Sequence, residues 1–165
     1  MNTAVSDSTT LMHLAKIGKI NFLKKIYDEI IIEDEVYKEI IERGKEHIEV
    51  PLIKKLIEDK FITVKKVSQK IEMLDLHEGE RLSISLCKEL RIESLLIDDE
   101  DGFKVAAMLN LTPIRTTSIL IILLDKKLIN LEEYEKSIRE LSESGYFLDA
   151  LTYERLLAVG KNLRK

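Results

Sequence analysis

Apolar positions along this chain follow two alternating rhythms. Residues 3–7 (TAVSD), 29–32 (EIII), 61–67 (FITVKKV), 94–97 (SLLI) and 111–114 (LTPI) are short, β-compatible runs. Between them the apolar residues recur at helical spacing. Leu11, Met12, Leu14, Ala15 and Ile17 lead to a stop at Gly18, and INFLKKI repeats a short helical pattern. DEVYKEIIERG carries Glu33 and Asp34 at its first turn and closes on Gly44. Residues 46–59 read as a helix with Pro51 in a first turn after a break. EGERLSISLCKELR, at 78–91, puts Leu82, Ile84 or Ser85, Leu86 and Leu90 on one buried face, and DEDGFKVAAMLN starts another helix that stops at Asn110. Residues 117–129, 131–143 and 149–163 predict three more helices, with GYF at 145–147 as a turn.

Four or five short strands alternating with helices predict an α/β three-layer sandwich with a mostly parallel sheet. The chain shows no repeat, low-complexity tract or flexible linker. Residues 1–165 are therefore expected to form a single domain, with about 130–165 as a helical C-terminal appendage.

Composition narrows the function classes. Of the 165 residues, 45% are hydrophobic and 34% charged, the balance of a globular chain. The longest apolar run, Ile119 to Leu124, is too short to cross a bilayer, so no membrane association is expected. The N-terminal residues MNTAVSDSTT lack a secretory pattern, and Cys87 is the single cysteine; both suit a reducing cytoplasm. Cys87 lies on an apolar helix face and reads as core filler. The net charge of −4 argues against nonspecific coating of nucleic acid, though not against an enzyme with a local basic rim and a bound cation. With no tryptophan and aromatics at 5%, recognition of nucleic acid by base stacking finds little support.

The chemistry begins where strands end in acid. Asp7 follows the first strand; Asp98 and Asp99 open the run DDED after SLLI. Ligands of open α/β sheets bind outside the carboxyl ends of the strands. If those two strands are parallel neighbours, the carboxylates converge, and a pair ~4 Å apart repels by roughly 4 kcal/mol at an effective dielectric near 20. Such a cluster persists by protonating or by binding a hard cation such as Mg²⁺ or Mn²⁺. Glu39, in VYKEII, and Glu80, just after Gly79, are two helical acids able to join. Each has a plain alternative: a helix cap for Asp7, favourable helix-dipole placement for Glu80, a solvated face for Glu39. His13, His47 and His77 show no metal spacing, and His77 reads as a surface or cap residue.

Taken in order, VSDSTTLMHLAKIG, III-x-x-EVYKEI, HEGERLSISLCKELR and LLIDDEDGFKVA resemble the PIN-domain family, in its prokaryotic subgroup with a Gly-Glu helix start and an Ile-Asp-Asp strand end. The resemblance runs from about residue 3 to about 129. It implies a metal-dependent ribonuclease, in many relatives the toxin of a toxin–antitoxin pair. It also implies that Asp7, Glu39, Glu80, Asp98 and Asp99 are the catalytic acids, with Asp7, Glu80, Asp98 and Asp99 on Mg²⁺ or Mn²⁺. RNA is the implied substrate, an antitoxin protein an implied partner, and a homodimer an implied assembly. For the dimer, the ILIILL run and the helices at 117–143 offer a surface, with a core helix as the equal reading. Thr116 falls where the family often carries a Gly-Thr pair, and Lys16, Lys104 and Arg115 are candidates for a basic rim.

Several positions depart from the pattern. Thr9-Thr10 replaces a serine–proline pair, Glu33-Asp34 stands where proline is usual, Arg115 replaces the glycine before Thr116, and RLSIS replaces alanines after Gly-Glu. These departures leave a second expectation, a PIN-like module that binds RNA or a protein without cutting. A haloacid-dehalogenase reading of Asp7 needs an acid two residues on, where this chain has Thr9.

Overall fold

The computed structural model of the protein describes residues 2–72 and 76–164. Five strands form one parallel sheet in the order β3-β2-β1-β4-β5: β1 (Thr3–Ser6), β2 (Glu29–Glu33), β3 (Ile62–Lys65), β4 (Ser94–Leu96) and β5 (Thr112–Ile114). The fold is an α/β sandwich, with helices on both faces of the sheet. Pro113 is harmless because β5 is an edge strand, where a missing N–H breaks no ladder.

Strand side chains alternate between two cores. Ala4, Ile30, Ile32, Ile62 and Leu96 face one layer, with α1 (Ser8–Lys16), α3 (Val50–Glu58), α6 (Thr116–Asp125) and α7 (Leu131–Glu143). Val5, Ile31, Leu95 and Ile97 face the other, with α4 (Glu78–Leu90) and α5 (Glu100–Met108). Both faces are covered, which is why the strands read as continuous apolar runs rather than as polar–apolar alternation. The last helix, α8 (Ala150–Asn162), contributes Leu156 to the first core, and Tyr134 of α7 is fully buried there with its hydroxyl donating to the Leu156 carbonyl at 2.9 Å.

Several boundaries differ from the sequence expectation, each for a local reason. The helix expected over 46–59 begins at Val50, with Pro51 in its first turn, because His47 and Val50 close tight turns ahead of it. The helix opening at Asp34 has two geometries: α2 (Asp34–Tyr37), capped by the Glu33 carboxylate, then a wider π turn over Lys38–Arg43. Strand β3 is shorter than 61–67, although Phe61 and Val67 stay buried. Helix α6 starts at Thr116 and ends at Asp125, since Lys127 takes a left-handed conformation with φ of 58°. Leu90, expected on the buried face of α4, is only partly buried.

The ILIILL run is core. Ile119, Leu120, Leu123 and Leu124 are each 0% exposed, so these four side chains are not available as a dimer surface. Cys87 is likewise buried, its thiol pushed up to about 12 by desolvation, too weak an acid to serve as a thiolate. Among the described residues no helix is long and apolar enough to cross a membrane.

Candidate active site

The strand order reverses direction between β1 and β4, and this is the crevice where α/β sheets bind ligands. Asp7 and Asp98 stand at that crevice because they follow the two neighbouring strands. The register pairs Ser6 with Leu96, and the Asp7 N–H donates to the Leu96 carbonyl at 3.0 Å.

Asp7 is 2% exposed. Its Oδ1 accepts the Thr10 N–H at 2.9 Å, capping α1. Its Oδ2 is buried without any hydrogen-bond partner. Burial first, and the charge of Asp98 second, push this carboxyl up to about 8. The cap expected for Asp7 and the site role are therefore compatible: one oxygen does each.

Asp98 is held very differently. Its Oδ1 accepts the Thr116 N–H at 2.8 Å and the Tyr146 hydroxyl at 3.0 Å. Its Oδ2 accepts the Thr116 hydroxyl at 2.6 Å and faces His13 Nδ1 at 3.1 Å. Burial works to raise this carboxyl, but the hydrogen bonds from His13 and Thr116 outweigh it and hold Asp98 below its ordinary range. The positive end of α6, which starts at Thr116, acts in the same sense. Two neighbouring aspartates are thus pushed in opposite directions, Asp7 up and Asp98 down.

The other acids close around them. Glu80 opens α4, accepts the His77 N–H at 3.2 Å, and has its carboxyl raised by burial and then by the charge of Asp99. The cap position read for His77 is thus observed. Asp99 caps α5, accepting the Gly102 N–H at 2.7 Å, and lines the crevice beside Glu80 and Asp98. Glu39 comes in on the π turn and accepts the Ser8 hydroxyl at 2.7 Å. It also lies against Gly79, where an added Cβ would be 2.9 Å from Glu39 Oε1. The glycine beside Glu80 is what lets Glu39 approach.

Two adjoining cavities, of about 380 and 270 Å³, meet at Thr9 and His13. The first is lined by Glu80, Asp98, Asp99, Arg115, Tyr146 and Phe147 among others; the second by Ser8, Lys16, Glu39 and His47 among others. A larger cavity of about 580 Å³ lies at the other end of the sheet, among Thr3, Glu29, Lys65, Arg91 and Glu93, and among the described residues no buried polar atom without a partner belongs to its lining.

Among the described residues none of Asp7, Glu39, Glu80, Asp98 and Asp99 pairs with a lysine or arginine side chain. Arg81 pairs with Glu78 and Glu72, Lys38 with Asp34, Arg43 with Glu35. Of the expected rim, Lys16 lines the second cavity. Arg115 lies 4.4 Å over the Phe103 ring, pairs with Glu100, and donates to the Asp98 carbonyl at 3.0 Å. Lys104 does not fit: it pairs with Glu100 at 3.3 Å and lines neither cavity, because it lies one turn along α5 from that acid. Thr116, expected near the site, is a direct ligand of Asp98.

A PIN-domain family model matches residues 3–161. The chain belongs to the PIN-domain family. Members of that family are commonly metal-dependent nucleases and generally use divalent ions. No curated protein matches the chain. The chain is also similar to a solved structure, a PilT N-terminus domain protein of the archaeon Sulfolobus solfataricus, at 21% identity over 69% of this chain and 87% of that one, with a TM-score of 0.48.

The residues fit a divalent ion in chemistry more than in closure. An all-oxygen donor set without a paired cation, and a buried carboxylate oxygen with no partner, are what a hard ion requires. Yet among the described residues no three acid, histidine or cysteine side chains are close enough together to hold an ion as they stand. His13 and Tyr146 escaped the sequence reading. His13 was set aside for want of metal spacing, and nothing local marks a tyrosine 48 residues from the acid it binds.

Proposed function

We propose that this PIN-domain protein is a divalent-metal-dependent endoribonuclease. The observation that carries the proposal is the unpartnered, buried Oδ2 of Asp7 beside Asp98, where among the described residues none of the five candidate acids pairs with a lysine or arginine side chain. Asp7, Glu80, Asp98 and Asp99 would hold Mg²⁺ or Mn²⁺, with Glu39 oriented by Ser8 beside them. When bound, the ion supplies the positive charge that admits a phosphodiester to an acidic crevice and makes an attacking water more acidic. Thr116, Tyr146 and His13 fix the Asp98 carboxylate, so its charge is set before substrate arrives. The toxin role, an antitoxin partner and a homodimer belong to the same proposal on the family resemblance alone.

The test is cleavage of structured and unstructured RNA with Mn²⁺ or Mg²⁺, with chelator, and with Asp7→Asn. Cleavage should require the ion and fall at least about a hundredfold in Asp7→Asn. Equal cleavage by both proteins, or cleavage in excess chelator, overturns the assignment.

One observation favours a second reading, a PIN module that binds without cutting: each oxygen of the Asp98 carboxylate already has two protein partners, Thr116 N–H and the Tyr146 hydroxyl on Oδ1, the Thr116 hydroxyl and His13 on Oδ2, which occupies the lone pairs an ion would use. Calorimetric titration with Mn²⁺ separates the two, since a non-cutting module of this kind takes up no ion.

A further inference from the structure

Of the three residues that fill the Asp98 carboxylate, Thr116 opens α6 and is fully buried, and His13 belongs to α1. Only Tyr146 comes from outside a helix, on residues 145–148 between the Ser144 end of α7 and the Asp149 cap of α8. This connector is lightly held. Its Gly145 and Tyr146 N–H groups reach back to the Ser142 and Leu141 carbonyls at 3.3 and 3.2 Å, and among the described residues Phe147 and Leu148 make no hydrogen bond. Tyr146 and Leu148 lean on the first core, while Phe147 between them is 88% exposed. Gly145 has φ of 96°, a backbone that side chains rarely adopt, and nothing is packed on it. It has the character of a hinge placed directly ahead of Tyr146. Within one crevice, then, Asp7 Oδ2 is buried with no partner, while Asp98 Oδ1 is closed by a neutral donor on a movable segment.

We propose that Tyr146 is an autoinhibitory clasp: its hydroxyl closes Asp98 Oδ1 in the resting chain, and the connector swings out at Gly145 before that oxygen joins an ion site. This inference rests on the metal-dependent reading and adds a gate to it. The same hydrogen bond could instead orient the acid for an ion, and the two roles differ in sign. An orienting donor strengthens ion binding; a donor that competes for the lone pair weakens it. Orientation does not need the phenol. The Thr116 N–H holds Oδ1 at 2.8 Å and the Thr116 hydroxyl holds Oδ2 at 2.6 Å, so one residue already fixes both oxygens from the start of α6. What Tyr146 adds is the second partner on Oδ1, the place an incoming ligand would take. A neutral hydroxyl is also the weaker claimant there, since a divalent ion brings full charges.

Calorimetric titration with Mn²⁺ reads the sign. Tyr146→Phe keeps the ring and its edge contact with His13 and removes only the hydroxyl. It should bind Mn²⁺ about tenfold more tightly than the wild-type chain, or bind it where the wild type does not. Tyr134→Phe also removes a phenol hydrogen bond, the one to the Leu156 carbonyl, and should leave ion affinity unchanged. Hydrogen exchange on the wild-type chain gives a second reading that needs no variant. Mn²⁺ should speed exchange of the 145–148 amides severalfold, whereas an ion that merely tightens the site slows it. In Tyr146→Phe those amides should exchange fast from the outset and respond little to Mn²⁺. Affinity equal or lower in Tyr146→Phe, or slower exchange of the wild-type connector with Mn²⁺, overturns the clasp and leaves the metal-dependent reading standing. Uptake of Mn²⁺ by neither chain overturns both.

Discussion

The Tyr146 hydroxyl donates to Asp98 Oδ1 across 48 residues of sequence, tying the connector between the last two helices to the acid that ends β4. The His13 ring completes the arrangement, edge-on to Tyr146 with centroids 4.9 Å apart. Burial and the Asp98 charge push the phenol above its ordinary range, so it remains a donor at any working pH. Removing it with Tyr146→Phe should cost about 1.5–3 kcal/mol, the range for a hydrogen bond to a charged group, measured by denaturant unfolding. Asp98 would keep its Thr116 and His13 contacts, so the loss should be graded rather than complete.

Asp7 sets a pH dependence. Its carboxyl titrates near 8 in the folded chain against an ordinary value of 3.8. Between those values the folded chain binds the proton and the unfolded chain does not. Stability of the metal-free protein should therefore fall as pH rises from about 4 toward 8. Glu80, also raised, adds in the same direction. Asp98, lowered, has the opposite sign: its contribution is present above its ordinary value and is lost only as pH falls through the folded one. Melting temperatures across this range check the slope; a flat profile contradicts it.

The same carboxyl makes Asp7→Asn stabilising. Asparagine keeps the oxygen that caps α1 and removes the charge that burial opposes. At pH 8 without metal the variant should gain at least about 1 kcal/mol, the worth of less than one unit of unfavourable shift. Added Mn²⁺ should stabilise the wild-type chain and leave the variant unmoved.

Gly79→Ala should separate site from fold. The new Cβ would meet the Glu39 carboxylate, with Oε1 at 2.9 Å, Oε2 at 3.0 Å and Cδ at 3.2 Å, and that side-chain end is able to swing away. Stability should change by less than about 1 kcal/mol, since alanine also favours the helix. Metal-dependent cleavage should drop about tenfold, as Glu39 leaves its place beside Ser8 and Glu80. A variant that loses stability but no activity refutes this role.

Gly160→Ala should act the other way. On an ordinary helix the change helps by roughly 1 kcal/mol. Here the Cβ would sit 2.5 Å from Cε1 of Tyr134, a ring that is fully buried and pinned through its hydroxyl. Overpacking should cost about 1–3 kcal/mol, read from the unfolding midpoint.

Much of the fold was legible because its information is local. After their first residue, EIII and SLLI are apolar at three successive positions, as strands covered on both faces require. The helix ends at Gly18 and Asn110 follow from left-handed backbone at single residues, with φ of 65° and 59°, and the end at Gly44 from a close approach, since a Cβ there would lie 2.6 Å from the Ile40 carbonyl oxygen. The acids after β1 and β4 were legible as site candidates for the same reason: a residue following a parallel strand has one destination. Boundaries were less so, since the π turn that carries Glu39 and the left-handed Lys127 depend on packing around them.

The sequence by itself determined which residues end strands, which faces are apolar, and which five acids were candidates for one site. Only the tertiary structure decided their states. Whether a carboxyl is pushed up like Asp7 or down like Asp98 depends on donors supplied by Thr116, Tyr146 and His13, far apart in the chain. Hydrogen bonding and desolvation act over a few ångströms of space, and no spacing along a sequence encodes which groups will share that distance.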